Sequence, residues 1–124
     1  MPEELPEDVA AFLMRHIDSV PQLEGLLLLW ESAGQPWSGE ELAARLYLRG
    51  ESVQPLLAGL VRRRLIEPAA DGFVFPADSP QAGLVARVAA AYRANLIQAA
   101  GLIHSKASSA VREFAQAFRI KKES

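Results

Sequence analysis

The sequence contains no cysteine, and this absence excludes two classes of structure. Without thiols the chain can form neither a disulfide bond nor a thiolate metal site. The fold must therefore be stabilised without covalent cross-links. Half of the 124 residues are hydrophobic and 23% are charged, a composition typical of globular proteins with a buried core.

Long hydrophobic runs are also missing. The longest, residues 25–30 (GLLLLW), is far shorter than the roughly 18 residues that a membrane-spanning helix needs. The first ten residues are acidic and lack the basic beginning of a signal peptide. We therefore predict no contact with a membrane and a cytoplasmic location, with which the lack of cysteine is compatible.

Sequence signals of catalysis are absent as well. The sequence has no nucleophile elbow, phosphate-binding loop, dinucleotide fingerprint or metal-binding motif. His16 and His104 each lack a second histidine three or four residues away that could complete a metal site. Glu40 and Glu41 resemble a carboxylate pair, but a helix cap accounts for Glu41. We predict that the protein is not an enzyme and has no cofactor.

Charge is unevenly distributed along the chain. The net charge is −2, but residues 1–50 carry nine acidic and three basic side chains, whereas residues 51–124 carry six and ten. Such asymmetry is compatible with a surface for a polyanion. Acidic helix starts and basic helix ends would produce the same distribution.

The length predicts one domain over residues 1–124. Pro21 and Gly34 enclose a helix so apolar that it must be largely buried. The predicted segments are an N-terminal helix (7–19), a core unit (21–76), C-terminal helices (80–118) and a basic tail (119–124).

The core unit contains a helix, a tight turn and a second helix. Ser38 and Glu41 have the spacing of a capping box, which predicts the start of the first helix. Gly50 is expected to relieve backbone strain where the chain bends sharply between the two helices. Ser52 is the predicted cap of the second helix, 52–65, and Pro55 falls in its first turn.

A short β-hairpin is predicted directly after the second helix. Asp71-Gly72 is a strong turn dipeptide, and the apolar residues 73–75 read as the returning strand. Pro68 restricts the first strand to a very short pairing. The expected fold class is therefore mainly α with a small β-hairpin.

The C-terminal part is predicted to contain a long helix over 81–104 and a last helix over 109–118. Their apolar faces either complete the core of one chain or form a subunit interface. Because the three-helix unit already closes a core, we favour the interface and hence a homodimer. The predicted interface residues are Val85, Val88, Tyr92, Leu96, Phe114 and Phe118.

Residues 38–75 resemble the winged helix-turn-helix superfamily, and bacterial regulators of the MarR kind are the nearest resemblance. The matching features are the ELAARLYL helix, the Arg49-Gly50 turn, the LIE residues before the hairpin, and the core spacing of Val53, Leu57 and Leu60. The resemblance covers about a third of the chain. It implies a winged-helix core with additional N-terminal and C-terminal helices, and DNA binding in transcription regulation.

In DNA-binding members of this superfamily, the second helix of the motif enters the major groove. The resemblance then implies that Ser52 and Gln54 contact bases and that Arg49, Arg62 and Arg63 contact phosphates. Other positions on that face suit base reading poorly, because Pro55 and Ala58 have no side-chain donor. The hairpin residues 67–72 (EPAADG) contain no lysine or arginine.

Two basic segments have a functional and a structural interpretation. Residues 62–64 are three successive arginines, which either clamp phosphates or are solvated at a helix C-terminus. The basic stretch 106–122 either contacts DNA or an acidic protein surface, or is a solvated chain end.

Two functions remain open on the sequence alone. The first is a dimeric DNA-binding regulator with weak or non-standard base reading of double-stranded DNA. The second is a winged-helix module that binds a protein partner and not DNA.

Overall fold

The computed structural model describes residues 5–105. This part of the chain is mainly helical with one two-stranded antiparallel hairpin, so the predicted coarse fold class is confirmed. Helix α2 is central because it contacts α3, α4 and α5, while α1 packs against α5. The elements in chain order are α1 (Glu7–His16), α2 (Val20–Glu31), α3 (Gly39–Leu46), α4 (Gly50–Arg62), β1 (Glu67–Ala69), β2 (Gly72–Val74), α5 (Ala82–Ala94) and α6, helical from 96 to 105.

Helix α1 is shorter than the predicted 7–19. It ends at His16 because the backbone beyond it is extended, and Ser19 caps α2 instead. The Ser19 hydroxyl accepts the Gln22 N–H at 3.2 Å, which satisfies a donor that the first turn of α2 leaves open. The inward side of α1 buries Val9, Phe12 and Leu13.

Helix α2 is largely buried, as its apolar sequence predicts. The side chains of Leu23, Leu26 and Leu29 are fully buried. Gln22 is the one buried polar side chain within residues 5–105, at 2% exposure. Its Nε2 donates to the Leu56 carbonyl of α4 at 3.2 Å, and its Oε1 accepts the Asp18 N–H at 2.7 Å. Gln22 therefore ties the start of α2 to α4.

The predicted capping box at the start of α3 is present. The Ser38 hydroxyl accepts the Glu41 N–H at 3.0 Å, and the Glu41 carboxylate accepts the Ser38 N–H at 2.9 Å. The two bonds satisfy two backbone donors at once and set the first residue of the helix.

The turn between α3 and α4 differs from the prediction. Gly50 is the first residue of α4, Arg49 is the cap residue, and Ser52 lies inside the helix. The left-handed residue is Tyr47, with φ of 57°, and the Leu48 N–H reaches back across it to the Ala43 carbonyl at 2.9 Å. For a residue other than glycine, this left-handed conformation is unfavourable by about 1–2 kcal/mol.

The hairpin is anchored to the segment that precedes α3. Trp37 and Phe73 exchange two backbone hydrogen bonds of 2.8 Å, and the Gly34 N–H donates to the Phe75 carbonyl at 2.8 Å. Gly72 lies so close to this segment that an added Cβ would be 1.9 Å from the Trp37 carbonyl oxygen. The Asp71-Gly72 turn was predicted, but this close approach between segments was not.

The predicted long helix 81–104 is interrupted. Helix α5 ends at Ala94, and Asn95 adopts a non-helical backbone with φ of −135° and ψ of 58°. The Asn95 N–H donates to Ala91 of α5, while its carbonyl accepts the Ala99 N–H of α6. Asparagine suits such a junction because it is favoured at the residue that starts a helix.

The predicted subunit interface on α5 is corrected by the packing within one chain. Val85 and Val88 are fully buried, and Tyr92 is 8% exposed, because α5 covers α1 and α2. These three side chains are therefore covered within one chain, apart from the small part of Tyr92 that borders a surface cleft. Leu96 is 52% exposed. Phe114, Phe118, the predicted last helix and the basic tail lie outside the described residues.

Candidate functional site

The outer face of α4 is exposed within the part of the chain that the structure describes. The inward side chains Val53, Leu57 and Leu60 are buried, which leaves the opposite side of the helix in solvent. The exposed residues on α4 are Glu51, Ser52, Gln54, Pro55, Ala58 and Arg62. Ser52, Gln54 and Arg62 thus lie on the accessible surface predicted for them.

Arg49 lies in the turn at the start of α4. Its guanidinium is 3.7 Å from the Glu51 carboxylate, and both side chains are largely exposed, at 86% and 77%. An exposed pair at this distance contributes at most about 1 kcal/mol. Arg49 can therefore leave Glu51 for a phosphate, but Glu51 places a negative charge beside the same phosphate.

Gln54 is turned toward α3. A Cβ added to Gly39 would lie 2.8 Å from the Gln54 Nε2 atom, so the amide group rests against the first residue of α3. The side chain is nevertheless exposed. To form the paired hydrogen bonds with adenine that glutamine can make, Gln54 must rotate away from Gly39.

Arg63 does not occupy the phosphate-facing position predicted for it. Its guanidinium donates to the Asp18 carboxylate at 2.9 Å and to the Gly59 carbonyl at 3.3 Å, and 25% of its side chain is exposed. This contact joins the end of α4 to the loop before α2. The neighbouring Arg62 is exposed, so the two arginines have different surroundings.

The hairpin that follows α4 in the chain has acidic rather than basic exposed groups. Glu67 in β1 and Asp71 in the turn are both exposed, and Pro68 between them has no charge. Acidic side chains repel the phosphate groups of a nucleic acid. The outer face of α4 therefore offers Arg49 and Arg62 to phosphates, and the hairpin adds none.

A second feature, which the sequence interpretation did not include, is an open cleft of about 500 Å³. It lies along one side of α2, between the C-terminal ends of α3 and α5. We call it the α2 cleft; its lining residues are Glu24, Leu27, Leu28, Glu31, Arg45, Leu46, Tyr47, Tyr92 and Arg93. The spacing of 24, 27, 28 and 31 places these four residues on one helical face, and this was the available sequence signal.

Polar contacts fix the walls of the α2 cleft. The Tyr92 hydroxyl donates to the Glu24 carboxylate at 3.0 Å, and Arg93 forms an ion pair with Glu31. Burial, followed by the hydrogen bond and the negative charge of Glu24, raises the pKa of Tyr92 to about 12. The Tyr92 phenol therefore stays protonated, and a donor to Glu24, across the physiological range.

The raised pKa of Tyr92 predicts a loss of stability at alkaline pH. The unfolded chain releases this proton near the ordinary value of about 10, whereas the folded chain retains it up to about 12, so rising pH favours unfolding across that interval. We expect a decrease in the free energy of unfolding on the order of 1–2 kcal/mol, discounted because the hydroxyl borders an open cleft.

Urea unfolding of the wild type and of Tyr92→Phe at about pH 9 and about pH 11 measures this effect. The phenylalanine variant has no hydroxyl to titrate and should show the smaller decrease. Equal decreases in the two proteins would contradict the assignment to Tyr92.

Comparisons with protein-family models, with curated proteins and with solved structures found no match. Within the described residues, no helix is both long and apolar enough to cross a membrane. Among the same residues, no group of three or more histidine, aspartate or glutamate side chains could hold a metal ion.

Proposed function

We propose that residues 21–76 form a winged helix-turn-helix unit that binds double-stranded DNA and acts as a transcription regulator with weak or non-standard base reading. The observation that carries the proposal is that the outer face of α4, the second helix after the tight turn, is exposed within residues 5–105 and that a hairpin follows it in the chain. In the helix-turn-helix mode of binding, this is the helix that lies in the major groove.

The order of the elements supports the proposal. A buried helix, α2, is followed by an extended residue, the two helices of the motif, and the hairpin. Trp37, just before α3, forms an isolated antiparallel β-bridge with Phe73 of β2. This bridge anchors the hairpin to the segment directly before α3, and a hairpin that follows the second helix is the element that a wing would be.

Charge on this surface limits the affinity that the proposal predicts. Arg49 and Arg62 are exposed on or next to α4, and Arg64 is exposed just beyond it. Each phosphate neutralised contributes about −0.9 to the slope of log K against log salt. We therefore expect weak binding to duplex DNA, with a slope of about −2 to −3.

The test is a salt series of binding to random-sequence duplex DNA. Arg62→Ala should weaken binding equally on all sequences and reduce the magnitude of the slope by about 1, because it removes one phosphate contact. Gln54→Ala should change the sequence preference and leave the slope unchanged. Competition among duplexes of different sequence separates these two effects.

Arg87→Ala is the matched control for charge, since Arg87 lies on α5 and pairs with Asp8 of α1. It should leave both the affinity and the slope near those of the wild type. The absence of measurable binding at low salt would overturn the proposal. Equal losses for Arg62→Ala and Arg87→Ala would remove α4 as the contact surface.

A second candidate function is a protein-binding module that does not bind DNA. The specific observation in its favour is the engagement of basic groups within the chain, with Arg49 close to Glu51 and Arg63 paired with Asp18. The uncharged part of the α4 face, at Pro55 and Ala58, would then meet the partner. This function is favoured if the affinity for duplex DNA does not change with salt concentration in that series.

Homodimerisation and a cytoplasmic location remain predictions. The dimer prediction no longer draws on Val85, Val88 and Tyr92, which are buried in one chain. The exposed apolar side chains at the start of α6 are Leu96 and Ile97, at 52% and 86% exposure. They are the described residues on which a subunit contact would now rest.

A further inference from the structure

The α2 cleft combines an apolar floor with one carboxylate that has no basic partner in the part of the chain that the structure describes. Leu27, Leu28 and Leu46 supply the apolar surface. The Glu24 side chain is exposed, and its recorded partner is the neutral Tyr92 hydroxyl, 3.0 Å from one of its oxygens. The carboxylate is therefore oriented but not neutralised.

The other charges of the α2 cleft are already engaged. Arg93 neutralises Glu31 in an ion pair. The Arg45 guanidinium lies 5.5 Å from the centre of the Trp37 ring, which is not part of the cleft lining. A cation over an aromatic face is attracted by the ring but keeps its charge, so Arg45 stays positive and is drawn toward Trp37. Among the lining residues, Glu24 is the charged one that has neither an ion pair nor a cation–π contact.

Two helix C-termini border the same space. Leu46 ends α3, and Tyr92 and Arg93 lie in the last turn of α5. The C-terminal end of a helix carries partial negative charge, because its last carbonyl groups have no helical partner. The backbone thus adds to the preference of Glu24 for a positive group.

Tyr47 supplies an aromatic ring at the edge of the α2 cleft. It is 94% exposed and holds the left-handed conformation that favours glycine. Packing within the described chain does not account for an aromatic residue there, since almost none of its surface is covered. Covering by a ligand does account for it, because a tyrosine face attracts cations as well as apolar groups.

We propose that the α2 cleft binds a small organic cation, an ammonium group attached to an apolar body. Glu24 pairs with the positive charge, the leucine floor covers the apolar body, and Tyr47 closes over the exposed side. A volume of about 500 Å³ suits one small molecule. The proposal does not depend on DNA binding, and its tests contain no nucleic acid.

The test uses the full chain and calorimetric titration with benzyltrimethylammonium chloride. Saturable binding is expected, and benzyl alcohol, which has the ring without the charge, should bind at least about tenfold more weakly. Glu24→Gln should weaken binding of the cation about tenfold, because it removes the charge and keeps an oxygen that accepts from Tyr92. Glu40→Gln is the matched control on the exposed first turn of α3 and should bind like the wild type.

Tyr47→Gly separates a ligand contact from a structural role. It should weaken binding of the cation several-fold, because the aromatic ring is removed. At the same time it should raise Tm, because glycine adopts the left-handed conformation without strain. A structural residue would lower Tm when removed. Unchanged affinity in this variant would exclude Tyr47 from the site.

A second titration, with Nα-acetyl-lysine methylamide, identifies the source of the cation. Tighter binding of this compound than of benzyltrimethylammonium supports a lysine side chain of a peptide as the occupant, and the reverse order supports a free organic cation. Either order supports the site. Failure of both cations to saturate, or equal affinity in Glu24→Gln and the wild type, would overturn the proposal.

Discussion

Replacing Gly72 with alanine is expected to lower the free energy of unfolding by about 3 kcal/mol. The new methyl group would lie 1.9 Å from the Trp37 carbonyl oxygen, 2.6 Å from the carbonyl carbon and 2.7 Å from the Ser38 Cα atom. All three are backbone atoms of the segment that pairs with the hairpin, so no side chain can rotate to make room. The hairpin must move away, and the two Trp37–Phe73 hydrogen bonds are then lost.

Chemical denaturation followed by circular dichroism measures this loss. Gly83→Ala is the matched control, because nothing lies within 4 Å of a Cβ added at this exposed position near the start of α5. There the same substitution should stabilise the protein by about 0.5–1 kcal/mol, the usual gain over glycine in a helix. A Gly72→Ala protein as stable as the wild type would mean that Trp37 and Gly72 are not in contact.

Replacing Gln22 with leucine is expected to lower the free energy of unfolding by about 2–4 kcal/mol, although leucine is the more hydrophobic residue. The volume is similar, but the Leu56 carbonyl of α4 loses the Nε2 donor and the Asp18 N–H loses the Oε1 acceptor. Gln22 itself is 2% exposed and the Leu56 carbonyl is partly buried, so this carbonyl carries a desolvation cost when its donor is removed.

The same denaturation measurement with Gln35→Leu provides the control, since Gln35 is exposed between α2 and α3. That substitution should change stability by less than about 0.5 kcal/mol. A Gln22→Leu protein no less stable than Gln35→Leu would contradict the role assigned to Gln22 in joining α2 to α4.

The local signals in the sequence predicted the local structure well. The capping box of Ser38 and Glu41 needs only four consecutive residues, and both of its hydrogen bonds are present. The turn after α3 was predicted wrongly because glycine was expected to take the unusual conformation. Gly50 begins α4 instead, and Tyr47 adopts φ of 57°. Leu46 and Leu48, on either side of Tyr47, pack against the core. The packing of these two side chains outweighs the cost of the left-handed conformation at Tyr47.

The role of α5 could not be decided from its periodicity. An apolar stripe that includes Val85 and Val88 has the same spacing whether it faces its own chain or a second subunit. The deciding information is that α5 covers α1 and α2, which are distant in sequence. The break at Asn95 was missed because the alanine-rich stretch around it has high helix propensity.

In the candidate sites too, some features depend on residues close in sequence and others depend on residues distant in sequence. The exposed face of α4 follows from the helical spacing of Val53, Leu57 and Leu60. The engagement of Arg63 depends on Asp18, 45 residues away, and the orientation of Glu24 depends on Tyr92, 68 residues away. Contacts at such separations leave no pattern in a single sequence.

The pairing of Trp37 with Phe73 has a consequence for the order of folding. These two residues close a loop that contains all of α3, α4 and β1. Closing such a loop in an unfolded chain costs about 3 kcal/mol of entropy, whereas the α3–α4 contacts join neighbours in sequence. The helical pair should therefore form first and shorten the loop, with the hairpin docking afterwards. Mutations at the Trp37–Phe73 junction should then accelerate unfolding much more than they slow folding.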